Sequence, residues 1–209
     1  MITLEEYLRN PCASLSIPYW KAKGMTIPPQ IRIVHDNEFS SDRWTEYEDE
    51  RYFRLFRGMA DISDARPESV VLHTASRDDL PLMADVINRS YTDLSVSLKQ
   101  LEGYTATPVY EPQLWVLAKD AVTGGCMGCG VADYDPEAGE MILEWIQVLP
   151  ACRGRGVGQA IVNELLRRAQ GYARFATVSG KVDNPTRPER LYRRCGFEGG
   201  DVWHILRRK

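Results

Sequence analysis

Apolar and polar residues follow two regular spacings along this chain, and each spacing predicts a type of element. Met141 to Leu149 is a nearly unbroken apolar run that ends at Pro150, which is typical of a buried strand. Beyond a short basic turn, apolar residues recur at helical spacing and predict an amphipathic helix with the buried face Val157, Ala160, Ile161, Leu165 and Ala169. The junction between this strand and this helix is the best-defined feature of the sequence.

The same spacings predict further elements on both sides of the junction, from Val70 to the end of the chain. Ser76 is a good N-cap for a helix with the apolar stripe Leu82, Val86 and Ile87. Gly196 suits the C-terminal end of the last helix. The predicted elements are, in order, a strand at 70–73, the Ser76 helix, a helix at 93–101, a loop at 103–112, strands at 114–118, 126–134 and 141–149, the helix after Gly156, a strand at 175–179, a helix at 184–195 and a strand at 201–206.

Residues 1–69 differ from the rest and are interpreted as an N-terminal extension that packs on the main domain or on a partner subunit. Thr3 and Glu6 form a capping-box pattern for a short helix at 2–9, and a short strand is predicted at 31–34. The segment 41–59 is rich in charged and aromatic residues. It is predicted to form a helix with one side made of Trp44, Tyr47, Arg51 and Leu55.

Composition and charge limit the class of protein. The chain has 209 residues, of which 44% are hydrophobic, and a net charge of −3. That charge gives no overall attraction to nucleic acid or to an anionic membrane. Five dispersed cysteines argue against a disulfide framework, and the sequence has neither a signal-peptide pattern nor a membrane-spanning apolar run. We therefore expect a cytoplasmic protein with no membrane or nucleic-acid partner.

Three glycines and two arginines stand where the strand becomes the helix, in the run Arg153-Gly154-Arg155-Gly156-Val157-Gly158. Glycine allows the backbone to approach a ligand closely, and the first N–H groups of a helix lie unpaired at the positive end of its dipole. Such a turn binds phosphate. A dinucleotide-binding turn would need a glycine at Gln159, and a Walker loop would need a Gly-Lys-Ser/Thr triplet. A turn that only tightens the junction is the alternative.

This pattern resembles the coenzyme A pyrophosphate loop of the GNAT superfamily of N-acetyltransferases, and a second motif strengthens the resemblance. GNAT domains commonly end with a strand, an Asn and a helix bearing Leu-Tyr-x-x-x-Gly-Phe. Here Asn184 precedes Leu191-Tyr192 and Gly196-Phe197. One extra residue between Asn184 and Tyr192, together with Pro185 and Pro188, departs from the family pattern. The element order also matches that of GNAT domains, so the resemblance covers residues 70–209.

The resemblance implies an α/β GNAT fold for residues 70–209, with a mixed central sheet flanked by helices, and acetyl-CoA as the acetyl donor. It places the pyrophosphate on the backbone from Arg153 to Gln159 and the pantetheine arm beside the backbone of Val148, with Asn184 as a further cofactor contact. It makes Tyr192 the general acid that donates a proton to the departing sulfur. Packing as a core aromatic residue is the alternative for Tyr192.

Glu144 interrupts the apolar strand, where alternation puts it on one face with Ile142, Ile146 and Val148. A carboxylate in such a strand needs a partner or a cleft. An amine must lose its proton before it attacks, so Glu144 is the candidate base or water relay, and in several GNAT enzymes that group lies on this strand. A salt bridge to an arginine, or a sheet edge facing water, is the alternative. Trp145 and Gln147 are expected to pack on the other face.

These interpretations predict an acyltransferase that moves an acetyl group from acetyl-CoA to a primary amine by direct attack in a ternary complex. The alternative is a non-catalytic CoA or acyl-CoA sensor or scaffold module with the same fold, and a third option is a different acyl donor. The acceptor is a small-molecule or peptide amine. Its pocket is expected from residues 94–112 and the extension, with Asp183 and Glu111 as weaker polar candidates. GNAT proteins are often dimers, so a homodimer is compatible with the resemblance.

No metal site is predicted. Cys126-Met127-Gly128-Cys129 has the CxxC form, but it has no second pair and no adjacent histidine. Two cysteines at this spacing on a strand are also expected to face opposite sides, so small strand residues are the better account.

Overall fold

The computed structural model describes residues 2–90 and 95–209, and it has the α/β composition predicted. Two compact units divide the chain: Met1–Arg57 with Thr177–Lys209, and Gly58–Ala176. The elements are, in chain order, α1 (Leu4–Arg9), α2 (Pro11–Ser14), α3 (Tyr19–Gly24), β1 (Ile31–His35), β2 (Tyr47–Gly58), β3 (Val70–Thr74), α4 (Leu80–Ser90), α5 (Leu98–Tyr104), β4 (Tyr110–Asp120), β5 (Cys126–Asp135), β6 (Glu140–Val148), α6 (Val157–Ala169), β7 (Phe175–Lys181), α7 (Pro188–Arg194) and β8 (Glu198–Arg208).

The first unit is built on strands in the order β1-β8-β2-β7. β8 pairs antiparallel with β1 on one side and with β2 on the other. The predicted strand near 31–34 is confirmed as β1. The predicted capping box is also confirmed, because the Glu6 amide donates to Thr3 Oγ1 at 3.2 Å and the Thr3 amide donates to Glu6 Oε2 at 2.7 Å.

The helix predicted at 41–59 is wrong, because most of that segment forms β2. Phe53 and Leu55 are buried two residues apart, which is the period of a strand. Arg54, between them, is also buried, and its Nη2 donates to the Tyr7 hydroxyl at 2.8 Å while its Nε donates to the Pro11 carbonyl at 3.2 Å. Pairing with β8 and this buried contact with the N-terminal helices outweigh the helical spacing of the aromatic residues.

The second unit is built on strands in the order β6-β5-β4-β3, and each pair is antiparallel. One face of this sheet is covered by α6. A Cβ placed on Gly130 of β5 would lie 2.4 Å from Ile161 Cγ2 and 3.1 Å from Leu165 Cδ1, both on α6. The other face meets α4 and α5 in a core that includes Leu80, Met83, Val86, Ile87, Leu101, Trp115, Leu117, Cys129 and Val131.

Three details of the second unit differ from the sequence prediction. Val86 and Ile87 are buried as expected, but Leu82 is 36% exposed and does not belong to the stripe. β4 begins at Tyr110, inside the segment predicted to be loop. The predicted helix at 93–101 corresponds to α5, which starts at Leu98, and Asp93 lies outside the described residues.

Within residues 2–90 and 95–209, no helix combines the length and the hydropathy that crossing a membrane requires.

Candidate functional site

The glycine-rich turn lies between β6 and α6, at the N-terminal end of a 13-residue helix. Gly154 and Gly156 have φ of 75° and 78°, in the left-handed region that side chains avoid. A Cβ on Gly154 would meet no atom within 4 Å, so the space beside it is open. A Cβ on Gly156 would lie 2.9 Å from Pro67 Cγ, so this glycine is also needed for packing. The open space beside Gly154 therefore agrees with a ligand site, and the close packing at Gly156 agrees with a tight junction.

The amide groups of this turn are the feature that points to an anion. The first backbone bond of α6 runs from the Ala160 amide to the Gly156 carbonyl at 3.0 Å. In the part of the chain that the structure describes, no protein acceptor is found for the amides of residues 154–159. These amides stand at the positive end of the α6 dipole. The Arg153 amide is different, because it donates to the Pro150 carbonyl at 3.3 Å.

The two arginines of the turn have protein partners. Arg153 donates to the Val148 carbonyl through Nε at 3.2 Å and to the Ser90 carbonyl through Nη2 at 3.1 Å. Arg155 donates to Asp120 Oδ2 at 3.2 Å. Hydrogen bonds from the amides of Thr123 and Val122, and then from Arg155, hold the pKa of Asp120 below its usual value. Sequence spacing gave no sign of Ser90 or Asp120, because both partners come from distant segments.

Val148 is the last residue of β6, and the ladder fixes the direction of its backbone groups. Val148 is opposite Gly128, and the next residue, Leu149, donates its amide to the Met127 carbonyl at 2.9 Å. Hydrogen-bonded and non-hydrogen-bonded pairs alternate in an antiparallel ladder. Val148 therefore turns its N–H and C=O away from β5, toward the side from which Arg153 reaches its carbonyl.

Glu144 lies at a β-bulge of β6. Leu143 is opposite Ala132 and Trp145 is opposite Val131, so Glu144 is the extra residue without a partner in the ladder. Glu144 is half-buried. Bulges of this kind are frequent next to active sites, where they redirect a side chain. The sequence gave no signal for the bulge.

The bulge also corrects the predicted face of the strand. Ile142 is opposite Asp133, whereas Ile146 is opposite Gly130, and residues 133 and 130 of β5 point to opposite sides of the sheet. The prediction that Ile142 shares a face with Ile146 and Val148 is therefore wrong. The expectation that Trp145 packs into the core is confirmed, because it contacts the core shared with α4 and α5.

Tyr192 belongs to the first unit, on α7. It is 7% exposed, and its ring centroid lies 5.9 Å from that of Phe197 and 6.2 Å from that of Phe53. Asn184 precedes α7, and its Oδ1 accepts from the Thr186 amide at 2.9 Å and the Thr186 hydroxyl at 2.8 Å. The Asn184 side-chain oxygen is thus used in fixing the local turn, while Tyr192 is set in an aromatic cluster.

The cysteines and the weaker acceptor candidates have other surroundings. Cys126 and Cys129 contact the same core, so the prediction that they face opposite sides is wrong. Burial raises the pKa of both thiols, and it raises the pKa of Cys195 to about 11. Asp183 is paired with Arg51 at 3.1 Å. Among the described residues, no group of three or more His, Cys, Asp or Glu side chains is arranged to hold a metal ion.

Glu111, the other acceptor candidate, lies near Tyr172. Its Oε1 accepts from the Gln113 amide at 3.1 Å. Burial, followed by the charge of Glu111, raises the pKa of Tyr172 to about 12, so this phenol stays protonated at neutral pH. Leu94, at the start of the predicted acceptor segment 94–112, lies outside the described residues.

Comparison with known proteins identifies the domain. Residues 111–199 match the family model of the acetyltransferase (GNAT) domain. This segment includes β6, the glycine-rich turn, α6 and α7, and thus all of the predicted site residues. No curated protein matches the sequence.

Solved structures with the same fold have low sequence identity. A GCN5-related N-acetyltransferase from Sphaerobacter thermophilus is 18% identical to this chain and superposes with a TM-score of 0.68. The match covers 86% of this chain and 61% of the Sphaerobacter chain. A GCN5-related N-acetyltransferase from Kribbella flavida is 18% identical with a TM-score of 0.54, covering 86% and 60%. Ard1 from Thermoplasma volcanium is 16% identical with a TM-score of 0.55, covering 66% and 97%.

The chain spans less than two thirds of the length of the first two of these structures. Proteins of the GNAT family use an acyl-CoA as the acyl donor. The solved structures share the fold, and the family match covers the motif region. Residues 111–199 of this chain therefore form a region of the GNAT acetyltransferase domain family.

Proposed function

We propose that this protein is an N-acetyltransferase that moves an acetyl group from acetyl-CoA to a primary amine by direct attack in a ternary complex. The observation on which this depends is the turn before α6. Its amides from residue 154 to residue 159 have no protein acceptor among the described residues, and the space beside Gly154 is open. A diphosphate would supply acceptors for those amides and charge for the helix dipole. Gly154, Arg155, Gly156, Val157, Gly158 and Gln159 are the proposed contacts.

The two arginines of the turn are proposed to have different roles. Arg153 ties the end of β6 to Ser90, so we propose that it positions the Val148 backbone for the pantetheine arm. Arg155 is 45% exposed in its side chain and forms an ion pair with Asp120. It can therefore turn toward a phosphate at little cost, since exposed pairs contribute only about 0.2–1 kcal/mol. Asn184 is proposed as a contact through its backbone or its side-chain amide, because its Oδ1 already accepts from Thr186.

The chemistry is assigned to one proton donor and one proton acceptor. Tyr192 is proposed as the general acid, because a phenol that is protonated at neutral pH can donate to the sulfur that leaves. Glu144, at the bulge of β6, is proposed as the base that takes the amine proton, directly or through one water molecule. We propose residues 70–209 as the catalytic domain and 1–69 as its extension, with a cytoplasmic location, a small-molecule or peptide amine as acceptor and no metal.

A two-step measurement tests this function. Calorimetry should detect uptake of acetyl-CoA by the full chain, and inorganic pyrophosphate should compete with it. An amine panel followed by thiol release should then identify an acceptor. Tyr192→Phe should lower kcat about 100-fold without changing acetyl-CoA affinity, because general acid–base groups contribute about 10²–10⁴-fold. Glu144→Gln should lower kcat by a similar factor.

The control is Tyr172→Phe, which removes a phenol from another part of the chain and should leave kcat unchanged. Absence of acetyl-CoA uptake by folded protein would exclude the proposed donor site. Uptake of acetyl-CoA with no thiol release for any amine would instead favour a CoA sensor or scaffold module. Thiol release with a longer acyl-CoA but not with acetyl-CoA would show that the longer acyl-CoA is the donor.

A further inference from the structure

A cavity of about 200 Å³ lies in the first compact unit, at the start of α7. Phe53 of β2, Val182 and Pro188 form its apolar walls. Lys181, Arg187 and Arg190 add three cationic side chains to its lining. None of these residues belongs to the donor site proposed above. The cavity thus combines a small apolar wall with a concentration of positive charge.

Two of the three cations remain available for a ligand. Lys181 Nζ donates to Glu50 Oε1 at 3.0 Å, and Glu189, the one acidic residue of the lining, accepts from Arg193 Nη2 at 2.9 Å. For the guanidinium groups of Arg187 and Arg190, the described part of the chain offers no hydrogen-bond or ion-pair partner. Their charge favours an anion, and a guanidinium group suits a carboxylate because it can donate two parallel hydrogen bonds.

The backbone conformation of Arg187 fixes the direction of its Cα–Cβ bond. Arg187 has φ of 50° and ψ of 55°, in the left-handed region, which costs a residue with a side chain about 1–2 kcal/mol. The turn that imposes this conformation is closed by the Arg187 amide, which donates to the Asn184 carbonyl at 2.9 Å. Residues kept in such conformations often lie at ligand sites. The direction in which Arg187 leaves the chain is therefore fixed before any ligand binds.

Phe53 joins this cavity to Tyr192. Its ring lines the cavity, and its centroid lies 6.2 Å from that of the Tyr192 ring. The position of Phe53 is restricted by Gly180, where a Cβ would lie 2.5 Å from Phe53 Cζ. A group bound in the cavity would therefore lie one aromatic ring away from the proposed general acid.

We propose that this cavity binds a carboxylate of the amine acceptor, so that the preferred acceptor is an amine with a nearby negative charge, such as an α-amino acid. The proposal rests on the function proposed above, since it concerns the acceptor of that reaction. The acceptor is favoured over a phosphate of the donor because Phe53, which lines the cavity, is also the neighbour of Tyr192, the proposed general acid. The diphosphate of the donor is assigned to residues 154–159.

Matched acceptors test the proposal in the full chain. Phenylalanine and tyrosine are compared with their carboxamides, which keep the amine and the ring but lack the negative charge, and thiol release is followed with acetyl-CoA. We expect kcat/KM to be about tenfold higher for the acids. For the acids, Arg187→Gln and Arg190→Gln should each lower kcat/KM about threefold, and the double variant should lower it about tenfold. For the carboxamides, kcat/KM should stay unchanged in all three variants. Arg194→Gln, an exposed cation of the same helix outside the cavity, is the control and should change neither.

A binding measurement that needs no turnover accompanies the kinetics. N-acetylphenylalanine, titrated by calorimetry, should bind the double variant about tenfold more weakly than the unmodified protein, and its carboxamide should bind both equally. If N-acetylphenylalanine binds the double variant and the unmodified protein with equal affinity, the proposal is overturned. It is also overturned if the double variant loses affinity for the acid and for the carboxamide by the same factor. A loss of affinity for acetyl-CoA but not for dephospho-CoA would assign the cavity to the donor's 3′-phosphate. Failure of every amine to release thiol would reject the proposed function, while this titration would still decide on the carboxylate site.

Discussion

At the residue scale, two glycines of the second unit have opposite effects on stability. Gly130 lies under α6, and any side chain there would meet Ile161, Leu165 and Val116 at 2.4–3.1 Å. Gly103 lies inside α5, where a Cβ would meet nothing within 4 Å. A glycine in a strand is needed where another element approaches closely, whereas in an exposed helix it only adds flexibility to the unfolded chain.

This difference predicts opposite results for the same substitution. Gly130→Ala should lower the free energy of unfolding by about 1–3 kcal/mol, because α6 must move away from the sheet. Gly103→Ala should raise it by about 0.5–1 kcal/mol. Urea unfolding followed by circular dichroism measures both. A neutral result for Gly130→Ala would show that Ile161 can rotate aside and that α6 is not held as closely as the structure indicates.

At the element scale, α6 is joined to its sheet by an ionic cluster near its C-terminal end. Glu164 accepts from Arg168 Nε at 2.7 Å and from Arg167 Nη2 at 2.8 Å. Arg168 in turn donates to Thr74 Oγ1 and to the Gln113 carbonyl, both at 2.8 Å. Burial alone would raise the pKa of Glu164, but the hydrogen bonds from Arg167 and Arg168 bring it below its ordinary value of 4.5. Glu164 therefore orients Arg168, which ties α6 to β3 and to β4.

The lowered pKa gives this cluster a predictable pH dependence. The Glu164 carboxyl group has a lower pKa in the folded state than in the unfolded chain, where the pKa is 4.5. It therefore stabilises the fold when the pH is above 4.5, and it loses this contribution as the pH falls through the pKa of the folded state. Glu164→Gln should cost about 1 kcal/mol at pH 7, and the difference from the unmodified protein should shrink below pH 4.5. Thermal unfolding of both proteins from pH 7 to below pH 4.5 measures this difference in stability. Asp85→Asn is the control, because it removes an exposed ion pair on another helix. A difference that stays constant with pH would contradict the assignment.

Elements with one clear period were predictable from the sequence, and elements shaped by distant partners were not. β6 and α6 follow from apolar spacing and from the glycines between them, since both properties are local. The bulge at Glu144 was not predictable, because it depends on register with β5. The strand at Tyr47–Gly58 was also missed, because its partner β8 lies about 150 residues further along the chain. Arg187 and Arg190 were missed because neither has a motif, and only the fold places them around one cavity with Phe53.

At the scale of the whole molecule, the N-terminal 57 residues share a compact unit with the C-terminal 33. β8 has β1 as one neighbour and β2 as the other, and both neighbours come from the N-terminal segment. Trp203 and Leu206 of β8 are buried in this unit, and the Trp203 indole N–H donates to the Cys12 carbonyl at 2.8 Å. The segment therefore supplies structure that β8 needs, in addition to any role it has as an extension of the catalytic domain.

This arrangement predicts that residues 1–57 cannot be removed without loss of the fold. The remaining chain, 58–209, would leave β8 with two unpaired edges and exposed apolar side chains, which promote aggregation. We expect it to elute as aggregates in size-exclusion chromatography and to lose acetyl-CoA binding in calorimetry. Adding the separate 1–57 peptide during refolding should restore part of both signals, because the missing strands can pair with β8 from another chain. A monomeric 58–209 chain that binds acetyl-CoA with unchanged affinity would show instead that the N-terminal strands are dispensable and that residues 58–209 fold alone.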